Sequence, residues 1–514
     1  MCGISGIVGQ DANATFLKKL LEPISHRGEV KYRDETLVLS GVAVGAHRLA
    51  IVGEPTGKQP KQSQDQKICS VFNGEIYNHA ELRQELTKSG PFLSLCDSEV
   101  VLRSYSEWGE NFVQYLDGKY AIAIYDDEKK ALIMVRDPMG VKPLYYAKYK
   151  DSWIFSSEAK SLTSIQDEHL EIHELEPGTI WINGITTRYF TPPHFCQGQS
   201  SDLPTSAYIP ELSDYLTQAV KKRIPEEASS VACLLSGGID SSIITYLASK
   251  IHPRVVAYTL AAHNTPSSDL QAAQILCDRL KIEHIIVSPP IKEMQDFYLQ
   301  KGVYMTESFE PVLVRNAVSY NFVCRKIVED GFKYCLCGEG ADELFGGYDF
   351  VREVDVSDQD KIIWHSLSII HKTYLHMADR ASMYTTLEAR VPYMDKNLVS
   401  FCLSLPPKAR INGDINKAIL RELFQDELPE SITSRRKSGM NEGAGFGINS
   451  SKESIYHNAV KDYYEQNPRA YDEDMALCQK KASHVSVDWS SIEEIYNLAQ
   501  FIKLGFIKQS VSQR

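Results

Sequence analysis

No apolar run in the chain approaches the ~18–20 residues that a membrane-spanning helix needs, and the N-terminus lacks the basic-then-apolar pattern of a secretory signal. Basic charge is in deficit. The 55 Lys and Arg against 67 Asp and Glu leave a net charge of -12, which argues against a nucleic-acid or anionic-membrane binder. Paired cysteines are missing as well: the 11 cysteines are odd in number and scattered singly apart from Cys335-Leu336-Cys337. Without a CxxC pair or a His partner at zinc spacing, a disulfide scaffold and a structural zinc are excluded, and most of these thiols read as reduced core residues. With only 30 Gly and 22 Pro, and no internal repeat or low-complexity tract, collagenous and disordered chains fall away too. What remains is a globular protein read as cytoplasmic, with small-molecule partners, no nucleic acid and no membrane; a homodimer is compatible with it.

The 514 residues, 43% of them hydrophobic, suffice for more than one core, and a nominal ~150 residues per domain gives roughly three domains or two larger ones. From Gly3 to about Leu162 short β-rich runs (Val38-Leu39, Gly41–His47, Ile68–Phe72, Ala121–Tyr125, Ala131–Val135, Trp153–Phe155) alternate with turns. Helical patterns at Ala80–Lys88 and Glu99–Trp108 interrupt them, which predicts an α+β unit with antiparallel sheets. The stretch Thr191–Ser206, rich in Pro, Gly and Ser, is the most linker-like and takes the main boundary, giving domains at 2–195 and 205–514. Beyond it the rhythm becomes strand, helix, strand: Val231–Leu235, Ile243–Lys250, Val255–Leu260, Asp269–Leu280, His284–Val287. That alternation predicts a doubly wound α/β parallel sheet, with a mostly helical C-terminal part from about Asp360.

Cys2 becomes the first residue if Met1 is removed. A terminal cysteine carries a nucleophile and its own α-amine, whose pKa of about 7.7–8.0 suits a general base; alone, it is equally a Cys that follows Met. Met1-Cys2-Gly3-Ile4-Ser5-Gly6-Ile7, His26-Arg27-Gly28, Ala46-His47-Arg48-Leu49-Ala50-Ile51-Val52, Phe72-Asn73-Gly74-Glu75-Ile76-Tyr77-Asn78 and Asp97-Ser98-Glu99 follow in order. This series resembles the glutaminase domain of the class II, N-terminal-nucleophile amidotransferases. The resemblance implies an Ntn-hydrolase-like sandwich with Cys2 as nucleophile and Asn73 with the Gly74 N–H as oxyanion hole. It further implies a glutamine site at Arg48, Leu49, Ile51, Val52, Asn73, Gly74, Glu75 and Asp97, in which Arg48 holds the α-carboxylate and Glu75 and Asp97 the α-ammonium. Read singly, Arg48 is also a surface ion pair, Asn73-Gly74 a hairpin turn and Asp97 a helix N-cap. Glu29-Val30 stands where that family continues Pro-Asp, and Cys96 where it tends to have Ser.

The sharpest local signal is Leu235-Ser236-Gly237-Gly238-Ile239-Asp240-Ser241-Ser242, after an apolar strand and opening a helix. Glycines let a backbone approach phosphate closely, and a helix N-terminus offers it free N–H groups. No Gly-Lys-Ser/Thr is present, so this is not the loop of ATPases that cleave at the γ-phosphate. Instead it resembles the pyrophosphate loop of enzymes that split ATP into AMP and pyrophosphate. Cys337-Gly338-Glu339-Gly340-Ala341-Asp342 follows a strand-like Tyr334–Leu336, which places carboxylates in the crevice at a parallel strand's C-terminal end. Together with Asp379–Met383, Leu387–Pro392, Lys417, Arg421 and Arg435–Lys437, the whole from Cys2 to about Gly445 resembles glutamine-hydrolysing asparagine synthetases.

That resemblance implies ATP at Leu235–Ser242 and Cys337–Gly340, Mg2+ on Asp240 and Asp342, and no prosthetic group. It gives Glu339 the deprotonation of ammonia, Lys437 charge stabilisation on the reacting phosphate, and Arg315, Glu339 and Asp342 the acceptor. Glutamine, ATP and a carboxylate acceptor, aspartate first, are the implied substrates, with a channel carrying ammonia between the sites. Val312 and Leu313 stand where that family has two threonines beside the acceptor, which admits a different carboxylate. A β-lactam-type ring-closing synthetase and a non-catalytic binding protein are the rivals. Read without the family, Arg435–Lys437 is a solvated basic turn.

Overall fold

The computed structural model describes residues 2–53, 56–86, 91–167, 169–193, 204–447, 454–482 and 485–507. Most of the Thr191–Ser206 linker, and so the proposed boundary itself, lies outside the described residues. None of the described helices is long and apolar enough to cross a membrane.

The N-terminal half is two stacked antiparallel sheets. One has the order β10-β8-β9-β1-β3-β2 and the other β12-β11-β7-β6-β5-β4. The strands are β1 (Cys2–Val8), β2 (Glu35–Leu39), β3 (Val42–Arg48), β4 (Lys61–Gln62), β5 (Ile68–Ile76), β6 (Gly118–Asp126), β7 (Ala131–Arg136), β8 (Tyr145–Tyr149), β9 (Ser152–Ser156), β10 (Ile172–Glu174), β11 (Thr179–Ile182) and β12 (Ile185–Arg188). Side chains alternate across each strand, so every central strand feeds two cores. Cys69 and Val71 of β5, Ala121 and Ala123 of β6, and Leu132 and Met134 of β7 face the other sheet, where they meet Ile4, Val44 and Phe155. Phe72, Ile122, Ile133 and Val135 face outward onto the helix Asp97–Trp108 through Val100, Val101 and Tyr105. On the other side Ile7, Ala43 and Ile154 pack against Leu17, Leu20 and Leu21 of the helix Ala14–Leu21, which Asn13 caps by accepting from Phe16 N–H. The result is a helix–sheet–sheet–helix sandwich: the antiparallel α+β unit is what the spacing predicts, and the sandwich is what the resemblance implies.

The second half is built on a wholly parallel sheet of order β15-β14-β13-β16-β17. Its strands are β13 (Val231–Leu234), β14 (Val255–Leu260), β15 (Glu283–Val287), β16 (Tyr334–Leu336) and β17 (Glu388–Arg390). The chain winds outward from β13 to β15 and then returns to lay β16 against the free side of β13. Strand order reverses between β13 and β16, and ligand crevices in open α/β sheets form at such a reversal. The region after Asp360 is mostly helical, as expected, with short strands within it, of which Glu388-Ala389-Arg390 joins the parallel sheet as its edge. Three residues bearing two charges carry no β pattern; burial on both sides and pairing with β16 make them a strand.

The halves are joined by buried charge. Arg27 of the first half bonds Asp379 of the helix Tyr374–Met383 at 2.8 and 3.2 Å, and Lys142 reaches the same carboxylate at 3.0 Å. Within the first half Glu158 receives Arg27 at 2.6 Å and Lys160 at 2.7 Å, within the second Arg380 bonds Glu307 at 2.8 Å, and the Lys160 N–H crosses to Glu307 at 2.6 Å. Arg27, Glu158 and Arg380 are at most 1% exposed, so these pairs, stripped of water, fix one orientation of the two halves.

Candidate active sites

Antiparallel pairing of β1 with β3 sets Cys2 directly across from Arg48. On β5, Asn73 and Glu75 share the inward face of Cys69 and Val71, so that face turns from apolar to polar where it meets Cys2. Asn73 Oδ1 accepts from Cys2 N–H at 3.0 Å, while Asn73 Nδ2 is buried with no hydrogen-bond partner. A buried donor left unsatisfied costs stability, so it is a group with hydrogen-bonding capacity to spare beside Cys2. Neither Asn73 nor Gly74 is in a hairpin turn; both sit in the β5–β6 ladder opposite Ala121 and Tyr120. A Cβ on Gly74 would lie 2.1 Å from the Lys119 carbonyl oxygen, so only glycine fits.

Arg48 is an ion pair but not a surface one. It is 4% exposed and meets Glu35 at 3.2 Å, its guanidinium lies 3.9 Å over the Tyr32 ring, and Nη1 is buried without a partner. Gly28 lets the His26-Arg27-Gly28 turn press on this strand, since a Cβ there would come within 2.7 Å of Arg48 N. Leu49 and Ile51 pack on Met383 of the other half; Val52 follows in the same loop, half-buried. Glu29, one of the departures from the family pattern, accepts from Ala50 N–H at 3.0 Å. Asp97 is the first helical residue rather than the N-cap, and its Oδ2 accepts from Ile76 N–H at 3.0 Å. The Glu75 carboxylate is not free: Arg390, from the second half, hydrogen-bonds it. Burial raises the Cys2 thiol pKa, opposed by a backbone hydrogen bond from Leu49 and by Arg48.

Sequence reasoning missed Gln59, which is 2% exposed. Its Nε2 donates to Cys2 Sγ at 3.3 Å and to Phe72 O at 2.9 Å, and its Oε1 accepts from Phe72 N–H at 2.7 Å. It stands in a loop with no motif around it, so nothing local announces it.

The second site is a cavity of about 830 Å3 at the β13–β16 reversal. Leu235, Ser236, Gly238, Ile239, Asp240 and Ser241 line one side, and Cys337 to Gly340 with Asp342 another. Gly237 lies behind the loop at φ +72, where a Cβ would strike Ala272 and Ala273 at 2.7 Å; Ser242 is buried in the helix beneath. The helix Ile239–Ile251 has Gly238 at its N-cap and no side-chain cap. Its first N–H groups therefore face the cavity as an anion cradle. Ser236 and Ser241 hydroxyls, 3.1 Å apart, tie the loop to the helix.

Opposite the cradle, Lys417 Nζ bridges Asp240 Oδ2 at 2.5 Å and Asp342 Oδ1 at 2.7 Å, and Lys437 pairs with Asp342. Burial pushes the Asp342 carboxyl up, but the two lysines overcome it and hold it well below the usual carboxylate range. Asp240 keeps Oδ1 buried and unpartnered, and burial raises its pKa. Glu339 likewise has an unpartnered Oε2 and a pKa raised by burial. Arg435, Arg436 and Lys437 form a wall of the same cavity, with Arg436 and Lys437 exposed to solvent. Among the predicted acceptor residues Arg315 is the exception. It does not line the cavity; its guanidinium is engaged by Glu493, with Nε 2.7 Å from Oε1. On the helix Pro311–Glu329 the residues Val312, Asn316, Tyr320 and Val323 line the cavity, and Arg315, at the flank of that stripe, is held by Glu493 instead.

Residues 1–185 match the family described as glutamine amidotransferase domain, and residues 211–368 and 354–482 match the family described as asparagine synthase. The chain is 32% identical over 481 residues to asparagine synthetase [glutamine-hydrolyzing] 2 of Oryza sativa subsp. japonica, covering 87% of this chain and 78% of that protein. The nodule asparagine synthetase of Pisum sativum is 32% identical over 478 residues, with 87% and 79% covered. A probable asparagine synthetase of Schizosaccharomyces pombe is 31% identical over 494 residues, with 87% and 85% covered. On these matches the chain belongs to the glutamine-hydrolysing asparagine synthetase family.

Proposed function

We propose that this enzyme makes asparagine from aspartate, glutamine and ATP, releasing glutamate, AMP and pyrophosphate. The observation that carries the reading is the pairing, in one chain, of an N-terminal cysteine beside an orphaned buried amide donor with an uncapped helix N-terminus over an acidic and basic cavity.

With Met1 removed, the nitrogen now held by Asn73 Oδ1 is a free α-amine placed to take the proton from its own thiol. The Cys2 sulfur attacks the glutamine amide carbon, Asn73 Nδ2 and the Gly74 N–H stabilise the oxyanion, ammonia leaves, and water hydrolyses the thioester to glutamate. Arg48, with Nη1 unused, takes the α-carboxylate; Asp97 and Glu75 take the α-ammonium. In the second site ATP phosphates lie on the Ser236–Ser242 loop. The acceptor carboxylate attacks the α-phosphorus, pyrophosphate departs, and Lys437 and Lys417 offset the charge it develops. Glu339, whose burial favours the protonated form, is matched to receiving the proton lost when ammonia attacks the acyl-adenylate. Asp240 and Asp342 offer hard oxygens, one of them unpartnered, and fit a Mg2+ that keeps phosphate oxygens in its shell. When bound, that ion neutralises phosphate charge. No group of three His, Cys, Asp or Glu able to hold a metal by itself occurs among the described residues.

The test is to incubate the chain with ATP, glutamine and aspartate, and in parallel with other carboxylic amino acids in place of aspartate. Stoichiometric asparagine, AMP and pyrophosphate with aspartate support the reading. Turnover confined to a different carboxylate would replace the acceptor and keep the chemistry.

A further inference from the structure

Four buried charges connect the two sites. Glu75, beside Gly74 at the end of β5, gives its carboxylate to the Arg390 guanidinium. Arg390 Nε also lies 2.9 Å from Glu388 Oε1, and Lys119 of β6 pairs with that same carboxylate. None of the four is more than 7% exposed. The Arg390 side chain thus reaches into the amide site, while its main chain belongs to the nucleotide site: its carbonyl accepts from the N–H of Cys337 at 3.0 Å and from the Cys337 thiol at 3.2 Å. That contact anchors the loop carrying Glu339.

Arg390 therefore has two carboxylates to choose from. Burial pushes the Glu75 carboxyl up to about 7, and both Glu388 and Asp97 add to the effect of burial, against the pull of Arg390. An ammonium arriving between Glu75 and Asp97 competes with Arg390 for Glu75, and Arg390 retains Glu388. We propose that Arg390 is a positioning residue coupling the two sites, giving up its bond to Glu75 and keeping Glu388 alone as the α-ammonium of glutamine enters, and biasing the Cys337–Glu339 loop with it. The proposal rests on reading the N-terminal half as a glutamine site. A ligand shifts such an equilibrium only through its differential affinity for the two arrangements, and the effect is reciprocal: whatever factor glutamine imposes on nucleotide binding, nucleotide imposes on glutamine.

The experiment is calorimetric titration of glutamine into the full-length Cys2→Ala chain, which binds without turnover, with and without saturating α,β-methylene-ATP and magnesium. Coupling of the usual size tightens glutamine by at least about fivefold. In the added background of Arg390→Met the ratio falls to within about twofold of one, while α,β-methylene-ATP alone binds within about threefold of its original affinity. Should that variant fail to fold, Glu388→Gln keeps the Arg390–Glu75 pair, removes the alternative partner, and is expected to abolish the ratio equally. A merely structural role would weaken both ligands and leave the ratio standing. A ratio near one in the Arg390-bearing chain, or a ratio preserved in both variants, would overturn the coupling alone. No glutamine binding, together with no glutamate release by the wild-type chain, would overturn the glutamine reading and the coupling with it.

Discussion

Asn73→Ala is the most informative single change in the amide site. The side chain is fully buried, its Oδ1 holds Cys2 N–H at 3.0 Å, and its Nδ2 meets nothing. Truncation removes one ordinary hydrogen bond, worth about 1 kcal/mol of stability, and the β5–β6 ladder on which Asn73 sits is held by main-chain pairing that the change leaves intact. Its kinetic cost is larger. An oxyanion donor acts only when charge develops on the carbonyl oxygen, and losing one lowers kcat by about 10²–10³, or roughly 2.7–4 kcal/mol of barrier. Glutamate release at saturating glutamine should fall by that factor with KM within about threefold, because an interaction made only in the transition state moves kcat and kcat/KM together. Pyrophosphate release supported by ammonium chloride, which bypasses the amide site, should stay within about twofold. A drop in kcat below tenfold, or an equal loss of the ammonia-supported reaction, would refute the role.

Cys2→Ala should abolish glutamate release and leave ammonia-supported pyrophosphate release intact, both read in the same two assays. Lys417→Met removes the cation shared by Asp240 and Asp342; pyrophosphate release should fall by about 10² or more while glutamate release continues. Arg27→Met removes one of the cations shared by Glu158 and Asp379, leaving Lys160 on the first and Lys142 and Arg380 on the second, and should cost about 1–3 kcal/mol in urea unfolding. Glu174 is held at about 2, burial being outweighed by Arg136 at 2.7 Å. Because its folded pKa lies below the unfolded value, its contribution of roughly 3 kcal/mol is complete above about pH 4.5 and is lost as the pH falls toward 2. Unfolding titrations from pH 6 to 3 should show that slope, and Glu174→Gln should flatten it.

Much of this architecture is legible in the sequence because its signals are periodic. Alternation along Ile68–Phe72 and Ala121–Tyr125 places β5 and β6, and the apolar Val231–Leu235 run followed by Ser-Gly-Gly places the phosphate loop to within a residue. What is not legible depends on partners distant in the chain. β17 is a strand only because β16 lies beside it, Gln59 reaches Cys2 across 57 residues, and Glu75 is claimed by Arg390 from 315 residues away. Arg315 illustrates a different failure. The residue type suits a carboxylate, but the carboxylate it meets is Glu493, 178 residues away in the chain, while Val312, Asn316 and Tyr320 stand on the cavity wall. The eleven cysteines first separate into one chemical and ten structural thiols, yet Cys337 stands between these classes, lining the cavity while its thiol bonds the Arg390 carbonyl.

The central claim is that one chain moves the glutamine amide nitrogen onto a carboxylate activated as an adenylate. It is tested most directly by one incubation with [amide-15N]glutamine, [carboxyl-18O]aspartate and ATP, followed by mass spectrometry of the products. The account predicts 15N in the amide of asparagine and one 18O carried into the phosphate of AMP, with none in pyrophosphate. Unlabelled AMP, or ADP and orthophosphate in its place, would contradict it.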